Sequence, residues 1–285
     1  MSYKSFALVG ATGSVGKNVF DALIAQNVSF LVLTRKSSDS SDKLPTSPNV
    51  KVVKVDYENS AEVSAVLKEN KVDVLISAVN SVAGGESQYV LADSAKAAGV
   101  KLFVPSEFGS VTAGASVKLL KDKDDFAKYL KKIGLPSARV FTGLFFIYIP
   151  AVVGYIVDQK FNVVGKGHTK ASFSALEDIG GFVAYILTHL PAEQLNDKIF
   201  RLQSEYLTLS EVAAKVGLPP NHVDKLPGDL AESFLGVLQR LIEDGQGSTG
   251  WDYEANKEDP EAAGSANVLW PDHEWKTITP ALFSK

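Results

Sequence analysis

The chain contains no cysteine, and its single methionine is the first residue. Disulfides, thiolate nucleophiles, iron–sulfur clusters and Cys-ligated zinc are therefore excluded. This fits a reducing compartment. Long hydrophobic runs are also missing. The oiliest stretch, residues 143–157, is broken by Pro150 and Gly154 and falls short of the 18 or so apolar residues that span a bilayer. Excess positive charge is absent too. A net charge of −4 gives no electrostatic footprint for nucleic acid. The four histidines, His168, His189, His222 and His273, are scattered without metal-ligand spacing, so no metal is expected. An apolar strand pattern begins at Phe6 and leaves no room for a leader. The expectation is a mature cytoplasmic protein with a small-molecule partner, no nucleic acid and no membrane.

What is present looks globular. Apolar residues make up 45% and charged residues 22% of the 285, enough for one large domain or two modest ones. The first 140 residues alternate between two periods. Apolar runs at 6–9, 30–34, 50–55, 72–79, 101–105 and 139–146 read as strands. Amphipathic stretches at 15–25, 60–70, 86–98 and 117–133 read as helices, the last two stopped by Gly99 and Gly134. Strands alternating with crossover helices imply an α/β fold, a doubly wound parallel sheet of Rossmann type. Beyond Pro150 the regularity fades. Helices are expected at 177–190, from the capping box Thr208-x-x-Glu211 to Gly217, and at 229–243, with a strand at 198–203 and a polar, Gly/Pro-rich stretch at 245–271. The predicted division is a nucleotide-binding Rossmann domain at 1–153 and a smaller α+β substrate region at 154–285, one strand of which returns to the sheet.

Ligands of such sheets sit at the carboxyl ends of the strands. After the first strand stands Gly10-Ala11-Thr12-Gly13-Ser14-Val15-Gly16. A glycine turn that opens a helix lets backbone N–H groups approach a pyrophosphate, and the helix terminus adds positive potential. The second strand ends in Arg35-Lys36 with no acid. NAD recognition uses a carboxylate there, whereas a 2′-phosphate wants a guanidinium and a second cation. NADP(H) is therefore the expected cofactor. Asp56, ending the third strand, is placed to meet the adenine amino group. Ala78, Val79 and Asn80 after the fourth strand, and Ser106, Glu107 and Phe108 after the fifth, are expected beneath the nicotinamide.

Helix 117–133 carries six lysines. With Leu119 as origin and about 100° per residue, Phe126, Ala127, Leu130 and Ile133 fall between roughly −40° and +80°, and Lys123 lies at about 40°. The other five lie at about 100° or more. Five lysines thus form a solvated face and one points toward the sheet. It either snorkels or pairs with Glu107 or Asp122, or it serves chemistry. In the second case Lys123 binds the ribose hydroxyls and donates to an oxyanion that develops during hydride transfer. Phe145, Phe146 and Tyr148 follow the sixth strand, where a pocket wall is expected, although core packing would also explain two of the three. Phe145 is expected to touch the cofactor, and Phe146, Tyr148 and His168 are the candidates on the substrate side.

The glycine loop, the basic tip of the second strand, Pro105-Ser106-Glu107-Phe108-Gly109 and Lys123 together resemble the NmrA-like, isoflavone-reductase-like members of the atypical short-chain dehydrogenases. In that family a catalytic lysine lies eleven residues before the glycine of a Gly-Ile-Pro turn. The corresponding turn here is Gly134-Leu135-Pro136, so the resemblance also lands on Lys123. Glu177-Asp178-Ile179-Gly180 and the closing 269–276 segment, Leu-Trp-Pro-Asp-His-Glu-Trp-Lys, resemble fungal members. Two features depart from the plant reductases of the family. Gly143-Leu144-Phe145 stands where they have Asn-Cys-Phe, and the loop between Gly109 and Lys123 is shorter, so their substrates do not carry over. Tyr253-x-x-x-Lys257, the pair of typical short-chain dehydrogenases, sits in a polar stretch far from the fifth strand and reads as coincidence. The resemblance implies an NADPH-dependent reductase of an aromatic carbonyl, enone, quinone or ether. The alternative is a non-catalytic redox sensor that binds NADP(H) and reports to a protein partner. Lys123 favours the enzyme.

Overall fold

The computed structural model describes residues 2–39, 44–79 and 81–284. The chain forms two compact units. The first comprises Met1–Glu107, Ala115–Val140 and Ile179–Phe200; the second comprises Phe108–Gly114, Phe141–Asp178 and Arg201–Lys285.

The first unit begins with β1 (Phe6–Val9), α1 (Ser14–Ala25), β2 (Phe30–Arg35), β3 (Val50–Val55), α2 (Ser60–Glu69), β4 (Val74–Ser77), α3 (Ser81–Ala98), β5 (Leu102–Val104), α4 (Lys118–Lys132) and β6 (Ala138–Phe141). β1, β4 and β5 are buried along their whole length, as parallel strands covered on both faces must be. The sheet runs β3-β2-β1-β4-β5, with every pairing parallel. Strand order reverses between β1 and β4, and a crevice opens at the carboxyl ends of the strands at such a switch point. The core under this sheet joins Leu33 and Val55 to Leu67, Leu91, Phe103, Phe126 and Leu130. Beside β5, Phe103 bridges in parallel to Ser137.

The sixth strand departs from expectation. It ends at Phe141 rather than continuing to 146, because Gly143 takes a left-handed φ of 65° and lies so close to the Ser172 carbonyl that a Cβ would collide with it. The chain then restarts as β7 (Leu144–Phe145) in the second unit, followed by α5 (Ile149–Val152), α6 (Tyr155–Asp158), β8 (Phe161–Val164), β9 (Lys170–Ser174) and α7 (Leu176–His189). Most of α7 belongs to the first unit, and so does most of β10 (Lys198–Arg201), which pairs with β6. The partition therefore differs from a single cut at 153/154. The physical reason is α7, where Ile179, Phe182, Val183 and Leu187 are buried and Gly180 lies against the Asn18 backbone of α1 with no room for a side chain.

The second unit is completed by β11 (Glu205–Thr208), α8 (Leu209–Val216), β12 (Pro220–Val223), α9 (Phe234–Glu243) and the pair β13 (Trp251–Asp252) and β14 (Lys257–Glu258). β9 lies between antiparallel β11 and parallel β7, and β12 pairs with β8. The capping box of Thr208 and Glu211 is formed, and Gly217 ends α8 at φ 74°. The helix expected at 229–243 is divided, because extended Ser233 accepts from the Leu235 N–H and starts α9 afresh after a 3₁₀ turn. Asp178, fully buried, hydrogen-bonds His273 Nε2, Ser204 Oγ and the Lys276 N–H, and Trp270 stacks on His273 at 3.6 Å. The Glu177–Gly180 motif and the closing 269–276 segment thus meet at one buried carboxylate. Among the described residues no helix is long and apolar enough to cross a membrane.

Candidate functional site

The first unit holds a cleft of about 1320 Å³ lined by residues 10–13, 33–38, 55–58, 78–79 and 85–90 and by Asp122, Lys123, Asp125 and Phe126. These are the carboxyl ends of β1 to β4 and the facing sides of α3 and α4, the place that the sheet topology dictates.

The glycine loop forms a tight turn in which the Gly13 N–H donates to the Gly10 carbonyl at 3.0 Å. Gly10 has φ 85°, and a Cβ there would lie 2.5 Å from the Ala78 carbonyl oxygen. Gly16 is pressed against the Gly10 backbone, so it too must lack a side chain. Gly13 differs, with an extended φ of −79°. Its absent side chain leaves the helix N-terminus open toward the cleft rather than relieving strain. α1 has no side-chain cap and no acid in its first turn, so its leading N–H groups and positive dipole end are available to an anion. Gly10, Thr12 and Gly13 line the cleft, while Ser14, Val15 and Gly16 form the first turn behind it.

Arg35 closes β2 at the cleft edge, exposed and without an ion pair among the described residues. Lys36 lines the same edge, but its ammonium pairs with Glu62 at 2.7 Å. Asp56 is exposed and accepts from the Glu58 N–H at 3.0 Å, holding the turn after β3. Ala78 and Val79 line the floor, and Asn80 lies outside the described residues. Ser106 donates from Oγ to the Val79 carbonyl at 2.7 Å and from its N–H to Gln88 Oε1 at 3.0 Å. It and Glu107 stand behind the lining. Sequence reasoning missed Gln88 and Tyr57, both of which line the cleft. Gln88 could have been found from the spacing 88, 91, 92, 95, which sets it on the buried side of α3. Tyr57 donates to the Leu33 carbonyl at 2.7 Å, and burial pushes its hydroxyl well above the usual phenol range.

Lys123 lies on α4 where the projection put it. Lys118, Lys121, Lys128, Lys131 and Lys132 are exposed and Lys123 is not. Its ammonium donates to the Glu107 carbonyl at 2.6 Å. Burial pushes its pKa below the ordinary lysine range, the Glu107 carboxylate pulls it up, and Arg139 pushes it down. The expected side-chain pairing with Glu107 or Asp122 is not what holds it. The Glu107 carboxylate instead takes Arg139 Nε at 2.8 Å, and Asp122 takes Lys118 at 2.9 Å.

Phe108, Phe145, Phe146, Tyr148 and His168 belong to the second unit. Phe146 is core there, packed in the cluster of Ile149, Phe161 and Phe173. Phe145 and Tyr148 stack on each other at 5.7 Å, Tyr148 being 40% exposed. Phe108 is buried, and His168 is an exposed loop residue.

Comparison with known proteins agrees with this geometry. Oxidoreductase BOA1 of Botryotinia fuckeliana is 31% identical over 231 residues, 74% of this chain and 75% of that protein. Phenylcoumaran benzylic ether reductase PT1 of Pinus taeda is 28% identical over 311 aligned residues, 96% of each. The solved binary complex of leucoanthocyanidin reductase with NADPH from Vitis vinifera has a TM-score of 0.75 at 21% identity, covering 98% of each chain, and shares the fold. The profile of the NmrA-like family matches residues 2–217, a span that takes in the whole cleft, and the chain belongs to that family.

Proposed function

We propose that the protein is an NADPH-dependent reductase that delivers hydride to a small, aromatic carbonyl, enone or quinone substrate. One observation carries the reading. A half-buried lysine on the apolar side of a helix lines the same cleft as an uncapped, glycine-opened helix N-terminus and an arginine without an ion pair among the described residues. The glycine loop suits a pyrophosphate and Arg35 a 2′-phosphate, so the residues present fit NADP(H). The reductases named above support the same class.

In this reading residues 10–13 hold the phosphates, Arg35 selects the 2′-phosphate, and Ala78 and Val79 with Ser106 behind them bound the nicotinamide end. NADPH, when bound, supplies the hydride. Lys123 orients the ribose and donates its ammonium proton to the oxygen on which charge develops as hydride arrives. Its lowered pKa makes that proton easier to release near neutral pH.

The test is a screen of NADPH consumption over quinones, enones and aromatic aldehydes, run alongside calorimetric titration with NADPH and NADH. Turnover of one class, with NADPH bound at least tenfold tighter than NADH, is expected. Tight NADPH binding without turnover of any class would overturn the reductase in favour of the sensor, and equal affinity for both dinucleotides would remove the assignment of Arg35.

A further inference from the structure

Three ionisable side chains near Lys123 are buried and have no part in the mechanism above. Glu107 is 1% exposed, Asp124 4% and Arg139 9%. Arg139, on β6, donates from Nε to Glu107 Oε1 at 2.8 Å and from its terminal nitrogen to Asp124 Oδ1 at 3.3 Å. Lys128 closes the far end on Asp124 at 2.9 Å. Burying such a chain of charges is expensive, and apolar packing would serve stability as well. Its location offers another explanation. Glu107 contributes its carboxylate to Arg139 and its main-chain carbonyl to the Lys123 ammonium. A lysine head group on a flexible stem is placed only when it has a fixed acceptor. Among the described residues the ammonium makes that one hydrogen bond, which leaves two N–H groups for a ligand in the cleft.

We propose that Arg139 is a positioning residue for Lys123: gripped by Glu107 and Asp124, it fixes the segment whose carbonyl aims the ammonium into the cleft, and its charge offsets the Glu107 carboxylate. The inference rests on the reductase reading of Lys123. The charged groups acting on Lys123 are Glu107, from the segment after β5, and Arg139, from β6. Asp124 and Lys128 of α4 act at the other end of Arg139. Asp122 and Asp125 are engaged by Lys118 and Lys121. From α3, Tyr89 lies edge-on to Phe126 at 5.0 Å, and Asp93 accepts from the Tyr129 hydroxyl at 2.5 Å. Without Arg139, the Glu107 carboxylate, no longer offset by that cation, would hold the Lys123 proton more tightly. Without the Glu107 charge, Arg139 would loosen it.

The experiment is an NMR titration of the full chain carrying ¹³C-labelled lysine, with the Lys123 signal assigned by its loss in Lys123→Arg. Arg139→Gln should raise the Lys123 midpoint by on the order of one pH unit, Arg139→Lys should move it back toward the parent, and Glu107→Gln should lower it. Identical midpoints in all variants would overturn the proposal. If Arg139→Gln does not fold, Glu107→Gln decides alone, since it keeps a hydrogen-bond acceptor and removes only the charge. An unchanged or raised midpoint there is fatal. The titration uses no substrate, so opposed shifts in a protein that reduces nothing would sink the reductase reading and leave the positioning role standing. Turnover without shifts would do the reverse.

Discussion

Arg35 and Lys36 are neighbours at one strand tip but not equals. Lys36 already spends its charge on Glu62, so a 2′-phosphate must compete for it. Arg35→Ala should therefore weaken NADPH by about tenfold or more, the effect of one charge-assisted hydrogen bond, and leave NADH nearly unchanged. Lys36→Ala should cost less. Glu62→Gln should tighten NADPH, and calorimetry on the three variants orders them. Lys123→Ala is expected to lower turnover on the order of 10²-fold or more, with a much smaller loss of cofactor affinity. The controls are Lys118→Ala and Lys131→Ala. Lys128 is unsuitable because it holds Asp124. If Lys123 acts protonated, turnover falls as pH rises through its folded value. Burial has moved that value down from 10.5, so the alkaline decline must begin below the range of free lysine. Lys123 and Arg35 could be read from the sequence because each sits at a position fixed by a period or by a strand end. Arg139 could not, since an arginine within an apolar strand reads as a solvent-facing residue until its two buried acids, 15 and 32 residues away, are seen.

At the scale of elements, the glycine loop separates two roles for one residue type. Gly10→Ala would force a side chain into left-handed backbone against the Ala78 carbonyl, costing at least about 1–2 kcal/mol, or about 2–8 °C in Tm. Gly13→Ala meets no contact closer than 3.4 Å. It should keep the parental melting curve while reducing the thermal shift that NADPH confers. Equal destabilisation by both substitutions would show that the loop is only a turn. Thr208→Ala should remove the side-chain half of the α8 cap and about 1 kcal/mol, visible in urea denaturation. The parallel strands β1, β2, β4 and β5 and the capping box were legible because near-continuous burial and local side-chain chemistry write themselves into short windows. α3 starts at Ser81, five residues before its expected beginning, because the Gly84-Gly85 pair within that stretch reads as a break in a helical pattern. The strands β8, β9, β11 and β12 escaped altogether. Each has four or five residues, too few for a pattern with a period of two to establish itself.

At the scale of the whole molecule, the chain passes between the two units at 107/108, 114/115, 140/141, 178/179 and 200/201. Neither unit is a contiguous piece. A fragment ending at residue 153 would lack the buried Ile179, Phe182, Val183 and Leu187 of α7 and the β10 partner of β6. It is expected to show no cooperative thermal transition by circular dichroism, whereas the full chain melts as a unit. A fragment with a sharp melt and NADPH binding would contradict this. The same threading has a consequence for synthesis. The glycine loop leaves the ribosome among the first residues, yet the α7 face that packs on α1 near Asn18 follows only after residue 179. At about 5–20 residues per second, the nascent chain carries that side of α1 uncovered for roughly 10–30 s. During that interval this side of the growing polypeptide is open to holdases, and depleting them during synthesis is expected to lower the soluble yield.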